Sequence, residues 1–193
     1  MLPDPAELLV RVARTLDAQG IPYLVGGSLA SSVYGLQRTT ADMDLVVDLR
    51  LAQIEALAGA LEGEYYVSRE AMREAVHTRG AFNAIHLETS YKVDFFVLGT
   101  AAFDREEFRR RIPQAIGERD SAPVLFKTPE DVILRKLQWF RSGGEVSEQQ
   151  WRDVLGVLAV SRGTLDEAYL DRWAAEIGVG DLLTRARKEA ANS

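Results

Sequence analysis

Two carboxylates flank a single methionine at the head of an apolar run, Asp42-Met43-Asp44-Leu45-Val46-Val47, and this segment restricts the fold more than any other. Side chains alternate along a strand, so residues two apart share a face. Asp42 and Asp44 therefore point the same way, while Met43 and Leu45 turn to the opposite side, into a core. Two like charges so placed repel and attract a cation, and hard oxygen donors suit Mg²⁺ or Mn²⁺. Asp-x-Asp also occurs in loops and at helix caps, so the pair alone does not establish a metal. Further along, Asp94 lies inside Val93-Asp94-Phe95-Phe96-Val97. A carboxylate on so apolar a strand is costly to bury without a partner. If its strand lies beside that of Asp44, three carboxylates converge and could hold two metals about 3.5–4 Å apart, clamping the attacking and leaving oxygens of a phosphoryl transfer. Otherwise Asp94 pairs with a nearby Arg or Lys, or faces solvent on an edge strand.

Upstream, Tyr23-Leu24-Val25 reads as a short buried strand that stops at Gly26-Gly27, and Ser28 to Tyr34 reads as a helix ended by Gly35. A strand running through two glycines into a helix exposes backbone N–H groups at the helix start. Glycine removes the Cβ that would keep a phosphate away, and Ser28 adds a hydroxyl. Paired glycines also serve as a plain tight turn.

The remaining periodicities predict an α/β part over residues 1–126 and a helical part, packed on it, over 127–193. Asp4-Pro5-Ala6-Glu7 opens a helix with Leu9, Val12, Ala13 and Leu16 on one side, closed by Gly20. Leu51, Ile54, Leu57, Ala58 and Leu61 mark another. Phe82–Leu87 and Lys92–Val97 read as neighbouring antiparallel strands, residues 101–111 as a helix, and Val124-Leu125-Phe126 as an edge strand. Thr128-Pro129-Glu130-Asp131 starts a helix, and Ser147 with Gln150 and Thr164 with Glu167 form two capping boxes. The stripes Ile133/Leu137/Phe140, Trp151/Val154/Leu155/Leu158 and Tyr169/Leu170/Trp173/Ile177 predict three amphipathic helices.

The 193 residues include no cysteine, which excludes a disulfide framework, thiolate zinc and a cysteine nucleophile. No apolar stretch is long enough to span a bilayer, so no membrane partner is expected. The first residues lack the basic-then-apolar run of a secretory signal, and a cytoplasmic location fits. A net charge of −6 opposes non-specific coating of nucleic acid. The clusters Arg105/Arg109/Arg110/Arg111 and Arg185/Arg187/Lys188 read as solvated helix faces or ends, or as local basic patches.

Taken together, the order strand, Gly26-Gly27-Ser28, helix, Arg38-Thr39-Thr40, Asp42-x-Asp44, then Asp94 on a later apolar strand resembles the nucleotidyltransferase superfamily. Gly35-Leu36-Gln37-Arg38-Thr39-Thr40-Ala41-Asp42-Met43-Asp44 looks like the branch that includes abortive-infection toxins. Pro129-Glu130-Asp131, Lys136-Leu137 and Arg152-Asp153 look like it more loosely, and Gly156 stands where that branch often carries an acidic residue. The resemblance covers roughly residues 20–160. It implies a mixed sheet flanked by helices, with a C-terminal helical extension. It also implies a Mg²⁺- or Mn²⁺-dependent enzyme that transfers a nucleoside monophosphate from an NTP to a hydroxyl on a protein, a tRNA end or a small molecule. Asp42 and Asp44 would hold metal on the nucleotide phosphates. Asp94 would join the second metal and help deprotonate the acceptor, and Gly26-Gly27-Ser28 would cradle the β- and γ-phosphates. A role as the toxic half of a toxin–antitoxin pair, with an antitoxin partner, is compatible with this chemistry. The alternative is a non-catalytic nucleotide- or partner-binding protein on the same fold.

Two cations accompany that set. Lys136 shares a helical face with Val132 and Phe140, and either snorkels to water or reaches a triphosphate. Arg38 either binds phosphate or neutralises the aspartates. Arg152-Asp153 reads as an ion pair on or between helices. His86 alternates with Ile85 and Leu87, facing solvent or a cleft, and Trp139, Trp151 and Trp173 read as core packing rather than a base-stacking platform.

Overall fold

The computed structural model describes residues 3–35, 42–116 and 123–191. In chain order the elements are α1 (Pro5–Ala18), β1 (Tyr23–Val25), α2 (Gly27–Tyr34), β2 (Asp42–Val47), a 3₁₀ turn (Leu51–Gln53), α3 (Ile54–Leu61), β3 (Tyr65–Val67), α4 (Arg69–Thr78), β4 (Ala81–His86) and β5 (Lys92–Val97). They continue as α5 (Ala102–Arg110), β6 (Ile112–Gln114), β7 (Val124–Phe126), α6 (Pro129–Ser142), α7 (Glu148–Val160), α8 (Glu167–Glu176) and α9 (Gly180–Ala191). The chain divides into two compact units, Met1–Gly26 with Thr40–Phe126, and Gly27–Thr39 with Lys127–Ser193. The first division therefore falls between the two glycines of Gly26-Gly27, and α2 groups with the C-terminal helices.

The first unit is a sheet with helices. Among the described residues the sheet has seven strands in the order β3-β4-β5-β2-β1-β7-β6. β2 runs parallel to β5, β1 runs parallel to β7, and the remaining neighbours are antiparallel. Strict alternation gives the central strands one dry face. Met43, Leu45, Val47, Val93, Phe95 and Ala84 are buried there, and Phe82 stacks on Phe95 with ring centroids 4.8 Å apart. α1 begins where the sequence predicts, with Asp4 accepting from the Glu7 N–H at 2.8 Å and Pro5 at the first helical position.

Several expectations need correction here. β7 is not an edge strand: it lies between β1 and β6, and β6 forms the edge. Leu51 does not join the apolar side of its helix; it sits in the 3₁₀ turn and is half exposed. Residues 65–78 hold a strand and a helix that periodicity does not announce. β3 is too short to alternate visibly. α4 buries only Met72 and Ala75 and is tied instead through Arg69 to Glu55 and Glu62, and through Arg73 to Glu55.

The second unit is helical. α6 starts at Thr128, whose Oγ1 accepts from the Asp131 N–H at 3.2 Å, and α7 starts at Ser147, which accepts from the Gln150 N–H. For α8 the cap is Asp166, not Thr164; Asp166 accepts from the Tyr169 N–H at 3.0 Å, while the Thr164 hydroxyl donates to the Ser161 carbonyl. A fourth C-terminal helix, α9, follows the three that were expected. Buried polar groups knit the helices together. Asp131, fully buried, accepts from the Tyr169 hydroxyl at 2.6 Å and from the Thr128 hydroxyl at 2.9 Å, and Glu130 accepts from the Asp166 N–H at 2.9 Å. Gly35, after α2, meets α7 backbone to backbone. A Cβ built there would lie 2.9 Å from the Ser31 carbonyl oxygen, 3.1 Å from the Val157 nitrogen and 3.2 Å from the Gly156 carbon. None of the described helices is long and apolar enough to cross a membrane.

Candidate functional site

The parallel pairing of β2 with β5 decides where the aspartates go. Asp44 is the register partner of Asp94, and Asp42 is the partner of Lys92. Register partners on adjacent strands share a face, with strands about 4.8 Å apart. Alternation then puts Asp42 and Asp44 on that face as well. The result is a two-by-two block on the open side of the sheet, with carboxylates at three corners and the Lys92 ammonium at the fourth. Asp42 is exposed, Asp44 is half-buried, and the Asp94 side chain is 21% exposed. The three predicted carboxylates thus come together on one face.

Lys92 was not among the residues the sequence singled out, although its position two before Asp94 places it on the same side. Its Nζ donates to Asp94 Oδ2 at 2.8 Å. That bond is the main reason its pKa lies above the usual lysine range. The charge of Asp94 adds to it, partial burial opposes it, and Asp42 and Asp44 raise it further. The contact itself is with Asp94 alone; Asp42 and Asp44 act on the ammonium only through their charge. The donor set fits a hard divalent ion, since all three groups are carboxylates and the backbone register brings them to one face. As the side chains stand, no group of three or more His, Asp or Glu among the described residues is disposed to hold a metal, and Asp94 is turned to the ammonium. Of the two readings left open for Asp94, pairing with a lysine is the one observed; its strand is internal, not an edge.

The block is bordered by β4 and β3. Asn83 is the register partner of Asp94, Ile85 partners Lys92, and Tyr66 partners Ile85. Ile85, Phe96 and Tyr66 are exposed at 36%, 37% and 62%. On the other side, the Gly26 N–H donates to the Asp44 carbonyl at 2.9 Å. That bond extends the β1–β2 ladder by one residue beyond Val25 and fixes the glycine turn beside the Asp44 backbone. It also commits the Gly26 donor to the sheet, so a phosphate-binding role for this N–H is not available in this conformation. Gly27 takes up a positive φ of 57° and opens α2, with Ser28 next to it.

The second unit carries a separate feature. A small recess is lined by Gly27, Lys127, Val132, Arg135, Lys136 and Trp139. Three of these six residues are cationic. Lys136 does not snorkel: it is 3% exposed and donates to Asp153 Oδ2 at 2.8 Å, linking α6 to α7. Asp153 therefore pairs with Lys136, while its chain neighbour Arg152 is exposed. Trp139 is 39% exposed at the recess, contrary to the core position expected of it, whereas Trp151 is buried. Lys127 and Arg135 escaped sequence reasoning because neither breaks an apolar stripe. Arg38 lies outside the described residues. His86 faces neither solvent nor a cleft; it is buried, its Nδ1 accepts from the Thr89 N–H at 3.2 Å, and its ring meets Tyr65 edge-on.

These features belong to a mixed α/β architecture of the nucleotidyltransferase-like kind. The chain is similar to an antigenic nucleotidyltransferase-like protein from Paracoccidioides brasiliensis, with 18% identity and a TM-score of 0.57 over 95% of this chain and 92% of that one. It is also similar to the antibiotic-resistance factor ANT(2″)-Ia. The crystal structure of that factor in complex with adenylyl-2″-tobramycin matches at 14% identity and a TM-score of 0.56, over 89% and 95% of the two chains. Its solution structure matches at 16% identity and a TM-score of 0.54, over 97% and 94%. At these identities the likeness is one of fold. No family model and no curated protein matches the sequence.

Proposed function

We propose that this chain is a metal-dependent nucleotidyltransferase that moves a nucleoside monophosphate from an NTP to an acceptor hydroxyl, with release of pyrophosphate. The observation that carries the proposal is the shared register of Asp44 and Asp94 on parallel neighbours, with Asp42 two residues away on the same face. A pure binding module has no use for three like charges packed together, because each raises the energy of the others.

In this reading Asp42 and Asp44 supply the oxygens that hold Mg²⁺ or Mn²⁺ on the nucleotide phosphates, and Asp94 joins them. Bound metal would neutralise charge developing on the phosphoryl oxygens and orient the incoming and departing oxygens. Asp94 takes the proton from the acceptor hydroxyl onto a carboxylate oxygen. Considered by itself, the recess of the second unit, lined by Gly27, Lys127, Arg135 and Lys136, is cationic and has the chemistry to take phosphate oxygens. The sheet face next to Asp94 carries an amide and three exposed apolar side chains. That surface suits a small hydroxylated acceptor better than a polyanion such as a tRNA end. The fold neighbour ANT(2″)-Ia, solved with adenylyl-2″-tobramycin, supports the same choice. A protein hydroxyl remains chemically equivalent, and a toxin role with an antitoxin partner would concern that acceptor.

The second reading, a non-catalytic binding protein, is favoured by the pairing of Asp94 with Lys92 and of Lys136 with Asp153. Turnover separates the two. Incubation of the full chain with Mg²⁺, each α-labelled NTP and a panel of hydroxylated acceptors should release pyrophosphate and leave label on an acceptor. Asp94→Asn and the pair Asp42→Asn/Asp44→Asn should abolish both. Turnover that persists in those variants rules out the carboxylate mechanism, and tight nucleotide binding with no turnover by any acceptor leaves the second reading standing.

A further inference from the structure

Lys92 stands at the fourth corner of a block whose other three corners are carboxylates. It is the register partner of Asp42, the same-face neighbour of Asp94 at two residues' distance, and diagonal to Asp44. We propose that Lys92 is the internal counter-ion of the carboxylate block: its ammonium takes a cation's place among Asp42, Asp44 and Asp94 and must yield that place when a divalent ion binds. The inference rests on the reading of these aspartates as metal ligands.

Asp44 stands directly opposite Asp94, and like charges directly opposite across a strand pair destabilise a sheet. Lys92 lessens the repulsion without abolishing the attraction for metal. The lysine stem is long and flexible, and 44% of the side chain is exposed, so the ammonium can swing away from Asp94 Oδ2. Ammonium and metal compete for the same carboxylate oxygen. Lys92 is therefore a positioning residue whose two effects have opposite signs. It steadies the block before loading, and it weakens metal binding. An ordinary exposed ion pair would do neither measurably. A lysine with a purely structural role would lower stability when removed but would not tighten metal binding.

The test is a Mn²⁺ titration of the full-length chain without nucleotide at low ionic strength, reading free Mn²⁺ by electron paramagnetic resonance, with circular dichroism to check folding. Lys92→Met should bind Mn²⁺ about two- to fivefold more tightly than the unmodified chain, the scale expected when one partly exposed competing charge is removed. Lys92→Arg, which keeps the charge, should restore the original affinity, and Asp44→Asn should weaken binding in every background. If Lys92→Met does not fold, Lys92→Gln carries the same expectation. Unchanged or weaker Mn²⁺ binding by folded Lys92→Met, with Asp44→Asn still weakening it, overturns the role of Lys92 and leaves the aspartate assignment intact. Binding that is insensitive to Asp44→Asn, or absent from every version, overturns the aspartate assignment and this inference with it.

Discussion

Lys136 on α6 donates to Asp153 on α7 at 2.8 Å, with only 4% and 10% of the two side chains exposed. The bond ties two helices together inside the second unit, whatever else the lysine does. Lys136→Met should lower stability by about 3 kcal/mol, the low end for breaking a buried pair because Asp153 keeps a further interaction. Urea denaturation measures it. Adding Asp153→Leu should return part of the loss, because apolar replacement of a buried pair is near neutral while the further interaction of Asp153 is given up. A Lys136→Met chain as stable as the original contradicts the pairing. Any loss of turnover in the single variant therefore needs the double variant as its control.

Gly35 allows the chain after α2 to lie against the α7 backbone at Gly156 and Val157. Gly35→Ala forces a methyl group against backbone atoms that cannot rotate away, and should cost about 1–3 kcal/mol. The shift in thermal midpoint is the readout. A neutral Gly35→Ala would mean that this helix crossing is looser than the backbone distances require.

Tyr65 is 5% exposed and its hydroxyl has no hydrogen-bond partner among the described residues. Burial pushes its pKa up from 10 to about 12, the charge of Glu64 adds to the shift, and Arg11 opposes it. The folded state thus favours the neutral phenol. That contribution is fully present below pH 10, the value in the unfolded chain, and is lost as pH rises through about 12. Tyr65→Phe removes a buried hydroxyl with no partner, so stability at pH 7 should be unchanged or slightly higher. Its stability should also fall less steeply between pH 10 and 12. An equally steep fall in the variant would place the alkaline transition on other groups.

How much of this could be read beforehand depended on period and burial. Asp42, Asp44 and Asp94 were legible because strand alternation assigns a face to each, and an acid inside Val93–Val97 breaks an apolar run. The pairing of β2 with β5 was needed to bring the two faces together, and no local rule supplies that. Lys92 was hidden because a lysine at the start of a strand is ordinary until its neighbour across the ladder is known to be Asp42. The three helix caps at Asp4, Thr128 and Ser147 follow from local chemistry and were visible. At α8 the neighbouring Asp166 took the role expected of Thr164, since two capping residues two positions apart compete for one helix start. α4 escaped because it is held by surface arginines pairing with Glu55 and Glu62 rather than by an apolar stripe. Lys136 was conspicuous because it interrupts its stripe, but its partner on α7 lay seventeen residues away.

The charge block also makes a prediction about stability without added metal. Asp44→Asn removes one of two carboxylates that face each other in register and keeps a side chain that can still hydrogen-bond, so relief of the repulsion should contribute about 0.2–1 kcal/mol of stability at low ionic strength, set against the charge part of the further interaction that Asp44 makes. The gain should shrink in 0.5 M salt, where screening weakens the repulsion. Denaturation at the two salt concentrations measures this. Destabilisation by Asp44→Asn would mean that its carboxylate makes bonds worth more than the repulsion it causes.

The most direct test of the central claim is an anomalous difference map from crystals of the chain grown with Mn²⁺ and a non-hydrolysable NTP analogue. The account predicts manganese within about 2.0–2.3 Å of carboxylate oxygens from Asp42, Asp44 and Asp94, with the Lys92 ammonium moved off Asp94. Manganese elsewhere, with Asp94 still bonded to Lys92, would contradict it.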